Sequence, residues 1–139
     1  MSAFESKESI AVVAAVVRRG DLYLVCQRAA GQRHAGLWEF PGGKLEAGES
    51  LLDAARRELA EELALEIEGG AAEALHSARD PASPYVIHFL EVQAEGEPRC
   101  REHQALRWCA LEELGELELA PSDASFVSWL GAKRTVCSE

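Results

Sequence analysis

Glu58, Glu61 and Glu62 stand at i, i+3 and i+4 in a stretch where Leu52, Ala55 and Leu59 recur at helical spacing. The spacing predicts one helix with an apolar stripe on one face and three carboxylates projecting together from another. Like charges stacked this way repel and weaken an isolated helix. A sequence that keeps three of them together needs a compensating cation. Hard divalent ions with oxygen ligands supply one, and Mg²⁺ binds through a few carboxylates plus substrate phosphates. Ser50 is placed to cap the helix, and Asp53 three residues on completes a shortened capping box. Upstream, Phe40-Pro41-Gly42-Gly43-Lys44 reads as a turn-rich approach whose two glycines let backbone come close to a ligand.

Two adjacent glutamates alone fit a solvated face in a chain with 24 Asp and Glu residues. The wider register separates this stretch from that reading: Gly43, five residues, Glu49, seven residues, then Arg57-Glu58-Leu59-Ala60-Glu61-Glu62. The run resembles the Nudix box of the Nudix hydrolases, G-x5-E-x7-R-E-U-x-E-E-x-G-U, where U is a bulky aliphatic residue. One specified position departs from it, since Ala64 stands where the family has Gly. A Gly near a helix end usually serves a left-handed cap, so Ala64 either costs stability or lets the helix run on. No ligand position is lost.

The flanking words LWEFPGGK (residues 37–44) and EHQALRWCALEEL (residues 102–114) resemble the MutT-like branch of that family, which includes CTP pyrophosphohydrolases and 8-oxo-dGTP-cleaving enzymes. The resemblance spans roughly residues 9–131. It implies hydrolysis of a nucleoside triphosphate to the monophosphate and pyrophosphate, with Mg²⁺ as cofactor and Mn²⁺ able to substitute, in the service of nucleotide-pool sanitising. By resemblance, the Gly42 carbonyl, Glu58, Glu61, Glu62 and Glu102 hold the metal, and Arg57 pairs with Glu49 to orient the box. Arg28 and Arg33 match positions that contact substrate phosphates or sugar, although MutT carries His at the position of Arg33. Glu39, Phe40 and Asp123 fall in the presumed base pocket, Phe40 offering a ring for stacking or else packing in the core.

The chemistry has its own logic. Water must attack a phosphorus that carries several negative charges, a metal ion neutralises that charge, and a carboxylate within reach takes the water proton. Glu58 and Glu102 are the two candidates for that base, and the sequence does not separate them. An arginine fork such as that of Arg28 suits bidentate phosphate binding. An ionised Asp123 would accept from the exocyclic amino group of cytosine, which favours CTP or a modified dCTP. A protonated acid would instead suit an oxidised purine, so 8-oxo-dGTP stays as the alternative. A silent nucleotide-binding module of the same fold is a further alternative, against which the intact box glutamates argue. So is a hydrolase of ADP-ribose or dinucleotide polyphosphates, whose lengthening segments this chain lacks.

A net charge of −10 argues against a nucleic-acid polymer or an anionic membrane as partner, and means that an anionic substrate needs metal screening. The 139 residues suit a single domain over 1–139, as a monomer or homodimer. Cys26, Cys100, Cys109 and Cys137 show no metal-site spacing and read as free thiols, with Cys26 and Cys109 in the core. Neither a signal segment nor an apolar run of membrane length is visible, so a cytoplasmic enzyme is expected. Val-rich 10–17 reads as a strand buried on both faces, 19–21 as a hairpin turn, and 21–28 as its antiparallel partner. Residues 73–78, 85–93 and 105–110 read as further strands, 111–114 as one helical turn and 122–130 as a helix after Pro121. The expected class is α/β, a mixed sheet sandwiched between helices. His34, His88 and His103 have no ligand spacing and read as structural or surface residues.

Overall fold

The computed structural model describes residues 9–79 and 83–137, and of residues 134–137 the backbone only. Among the described residues, eight strands and three helices follow in the order β1 (Ile10–Arg19), β2 (Leu22–Gln27), β3 (Trp38–Glu39), β4 (Gly42–Lys44), α1 (Leu51–Leu63), β5 (Glu66–Gly70), β6 (His76–Arg79), β7 (Tyr85–Glu95), β8 (Ala105–Cys109), α2 (Leu111–Leu114) and α3 (Pro121–Cys137). β1 lies centrally, parallel to β7 over Ile10–Val17, while the other pairings are antiparallel, so the sheet is mixed.

β1 explains the layering. Its side chains alternate, as a strand requires. Val13, Ala15 and Val17 pack with Ala54, Ala55, Leu59 and Leu63 of α1 on one face. Ala14 and Val16 pack with Phe89, Phe126 and Leu130 on the other, under α3. A strand buried on both faces matches the continuous apolar run, and an α/β/α sandwich follows. Burying Leu59 and Leu63 fully contributes about 1.5–3 kcal/mol each.

α1 begins as its sequence indicates. The Ser50 hydroxyl accepts from the Asp53 amide at 3.0 Å, and Asp53 reaches back to the Ser50 amide. The helix does not run on. Ala64 turns into the left-handed region at φ 55°, ψ 30°. The Ala64 amide donates to the Ala60 carbonyl, the bond of a left-handed cap, and the Leu65 amide donates to the Leu59 carbonyl, with Leu65 buried in the same core as Leu59.

Three expectations need correction. Gly42–Lys44 is not simply a turn but strand β4, paired with Val12–Ala14 of β1. Residues 66–70 form β5, which the sequence reading left out; only Ile67 is buried there, and a bulge interrupts its pairing with β7. The strand expected at 73–78 is His76–Arg79, with Glu73 to Leu75 outside it. Cys26 and Cys109 are buried free thiols and Cys100 is an exposed one; the Cys137 side chain lies outside the described residues.

Candidate active site

Arg57 organises the box. Its guanidinium grips Glu49 in a fork, Nε to Oε2 at 2.8 Å and Nη2 to Oε1 at 2.9 Å. Nη1 donates to Glu58 Oε2 at 2.8 Å, and Nη2 also donates to the Lys44 carbonyl at 2.9 Å. One side chain therefore ties α1 to the loop before it and to β4. Hydrogen bonds from Arg57, with a further one from the Glu46 amide, lower the Glu49 carboxyl to about 2.

The three helix glutamates face different surroundings. Glu61 is 55 % exposed, 3.8 Å from the Arg57 guanidinium. Glu58 is mostly covered and lies against Gly43. Glu62 is buried, and its Oε1 has no hydrogen-bond partner. Burial, a hydrogen bond with Glu58, the Glu58 charge, and those of Glu39 and Glu102 push the Glu62 carboxyl well above the usual range.

Glu102 reaches this neighbourhood through backbone docking. The last carbonyls of a helix lack intrahelical donors. Here the Arg99 amide donates to the Leu63 carbonyl at 2.8 Å and the Arg101 amide to the Glu62 carbonyl at 2.9 Å. The Gln104 amide then donates to the Gln27 carbonyl, so the Glu102 loop is pinned between α1 and β2.

A cleft of about 440 Å³ opens beside this edge, within the range of small-molecule sites. Of the expected residues, Arg28, Arg33, Glu39, Phe40, Gly42 and Asp123 line it; Glu49, Arg57, Glu58, Glu61, Glu62 and Glu102 stand outside its lining, Glu58 against Gly43. Arg28 is already paired: Nη1 meets Glu39 Oε1 at 2.7 Å, and Nε donates to the Arg33 carbonyl. A larger depression between α2 and α3, about 960 Å³, has Asp21 and Glu112 as its charged lining residues among the described ones, which disfavours an anionic ligand.

Two base-pocket expectations change. The Phe40 ring is 3 % exposed and packs edge-on against Phe89 and Phe126, so it offers no free face for stacking. Asp123, in the first turn of α3, accepts from the Phe40 amide at 2.9 Å. Burial raises its carboxyl to about 8, so near neutral pH it is a neutral acid that both donates and accepts. The argument from an ionised Asp123 to cytosine gains no support from this burial. The half-buried ring in the cleft is that of Tyr85, with the Lys44 ammonium 5.2 Å from its centroid; neither was expected, because strand residues carry no spacing signal for a pocket. His34 also lines the cleft, held at φ 60° in its approach loop. His88 meets Ser77 across β6 and β7, a structural position.

Among the described residues, no three His, Cys, Asp or Glu side chains are gathered tightly enough to hold a metal ion as they stand. The donor set still suits a hard cation. It is all oxygen, two carboxyls crowd together, and a buried carboxyl oxygen lacks any partner.

A carboxylate-bearing helix on an α/β/α sandwich, beside a cleft of nucleotide size with an arginine in its wall, supplies the parts that a hydrolase of phosphate chains uses. The chain belongs to the Nudix family: the NUDIX domain model matches residues 8–130. It is 43 % identical over 115 residues to the CTP pyrophosphohydrolase of Escherichia coli K12, covering 82 % of this chain and 85 % of that one. It is 38 % identical over 123 residues to the putative 8-oxo-dGTP diphosphatase 2 of Mycobacterium tuberculosis, covering 84 % of each. The solution structure of the E. coli ORF135 protein superposes with a TM-score of 0.79 at 39 % identity, over 95 % of both chains. No described helix is long and apolar enough to cross a membrane.

Proposed function

We propose that this chain acts as a single-domain, Mg²⁺-dependent nucleoside triphosphate pyrophosphohydrolase that releases a nucleoside monophosphate and pyrophosphate. CTP or a modified dCTP is its substrate, and removal of unwanted nucleotides from the cytoplasmic pool is its role. The observation that carries the reading is the buried Glu62, with its unpartnered oxygen beside Glu58, at the edge of a cleft that also holds Arg28.

Glu58, Glu61 and Glu62, with Glu102 and the Gly42 carbonyl, would hold the cation. Bound there, a divalent ion neutralises phosphate charge and acidifies water. Arg57 keeps Glu58 oriented through its grip on Glu49. Glu58 or Glu102 accepts the proton of the attacking water. Arg28 turns its fork to the phosphates, sharing charge with Glu39. Arg33 and Lys44 add further positive charge to the cleft.

The preference for cytosine rests on the likeness to the E. coli CTP pyrophosphohydrolase and not on the charge of Asp123. A neutral Asp123 favours a second reading, an oxidised purine triphosphate, because its proton can be donated to a base acceptor. Turnover of CTP, dCTP, 5-methyl-dCTP, dGTP and 8-oxo-dGTP with Mg²⁺ tests both. The proposal holds if a cytosine nucleotide has the highest kcat/KM and yields to the second reading if 8-oxo-dGTP does.

A further inference from the structure

His103 follows the candidate ligand Glu102 directly in sequence, yet its side chain faces the other end of the site. The imidazole is only 6 % exposed. Its Nε2 lies 2.9 Å from Glu39 Oε2. The opposite oxygen of Glu39 meets Arg28 Nη1 at 2.7 Å. Both oxygens of this cleft-lining carboxylate are thus held, one by the arginine in the cleft and one by a histidine standing outside the lining.

A carboxylate only accepts, so the proton of this hydrogen bond sits on His103 Nε2. The other ring nitrogen, Nδ1, is buried without a partner. An apolar side chain would fill the same space without burying an unpaired nitrogen. Packing alone therefore does not account for a histidine here, whereas a directed bond to Glu39 does. The backbone around it is already docked, at Arg101 to α1 and at Gln104 to β2. His103 adds the side-chain link between that docked loop and β3.

We propose that His103 is a positioning residue: by bonding Glu39 it fixes the Glu39–Arg28 pair against the loop that carries Glu102, and so holds the substrate-recognition end and the hydrolytic end of the cleft in one register. The proposal rests on the reading above, in which Glu39 and Arg28 face the nucleotide and Glu102 serves the reaction. Loss of the link frees Glu39 to compete for Arg28 in other geometries and unties that pair from the docked Glu102 loop, so binding and turnover suffer together.

The test uses His103→Leu, which keeps bulk but removes the donor, and His103→Gln, whose amide nitrogen can reach the same oxygen. Steady-state kinetics with CTP in saturating Mg²⁺ are compared with thermal melts of each variant and with Glu39→Gln. His103→Leu is expected to raise KM about tenfold, the size of one lost hydrogen bond to a charged group, and to lower kcat as well. His103→Gln is expected to recover most of both losses. Adding Glu39→Gln to His103→Leu should cost less than the sum of the two single losses, because the two share the His103–Glu39 bond while Glu39 also holds Arg28. A merely structural histidine would lower the melting temperature and the active fraction with KM unchanged, and that result overturns the proposal. So does a His103→Gln variant no better than His103→Leu. If Glu39→Gln is itself silent, the assignment of Glu39 to substrate fails and the proposal falls with it. If Glu39→Gln is impaired while His103→Leu is not, only the positioning role fails.

Discussion

The carboxyl group of Glu58 occupies the space in which a Cβ on Gly43 would stand: that atom would lie 2.8 Å from Oε1 and closer still to Cδ and Oε2. Gly43 is therefore the gap that lets a helix glutamate lie flat against β4.

Gly43→Ala should damage activity more than stability. The group in the way is the mobile end of a side chain, so Glu58 can swing aside and the fold survives. Its carboxyl is then displaced, and kcat should fall on the order of 10²-fold, as for loss of a base or metal ligand. Gly42→Ala is the contrast, because its Cβ would collide with the backbone carbonyl of Val13 in β1. That variant should unfold or melt far lower. Thermal melts and kcat measured on both check the split, and equal loss of stability in the two would contradict it.

Glu58→Gln keeps shape and removes one charge from the crowded pair with Glu62. Folding should survive, since repulsion is relieved even as the Arg57 contact weakens. kcat should still drop on the order of 10²-fold or more. A variant with near wild-type kcat would remove Glu58 from both the base and the metal roles.

Ala64→Gly should stabilise the protein. Ala64 sits at φ 55°, where a Cβ is costly, while the closing hydrogen bonds use only backbone. Relief of about 1 kcal/mol is expected, less what the freer unfolded chain gains. A lower melting temperature for the variant would show that the Cβ of Ala64 contributes packing instead.

Asp123 should make stability fall with rising pH. Its carboxyl titrates near 8 in the fold, against an ordinary value of 3.8. The folded protein then holds a proton that the unfolded chain has lost across that window. The stabilisation is fully present below about 3.8 and is lost as pH rises to about 8. Asp123→Asn carries no such proton, so its melting temperature should gain on the wild type as pH goes from 5 to 8. At pH 7 an amide and a neutral acid offer the same donor and acceptor, so kcat/KM should change little. A pH-independent gap between the melts would mean that Asp123 is ionised in the fold.

The layers of the sandwich were legible because β1 is apolar on both faces and α1 carries its own cap and stripe. The box was legible because its residues match the family motif, and the resemblance implied the Arg57–Glu49 pair that the fold holds. β5 was not, since it offers one buried residue, Ile67, and holds its place through pairing with β7 rather than through its own pattern. The pocket was read only in part. Phe40 looked like a ring beside a turn, but whether it faces solvent or core depends on Phe89 and Phe126, distant in sequence. The charge state of Asp123 depends likewise on burial, and the partner of His103 on how the Glu102 loop docks. Such facts belong to tertiary contacts, which no local spacing encodes.

The central claim is tested most directly by identifying the products of CTP hydrolysis in Mg²⁺ and again in excess chelator. The account predicts CMP and pyrophosphate in equal amounts with Mg²⁺, and no turnover once the metal is removed. Release of CDP and orthophosphate, or undiminished turnover in chelator, would contradict it.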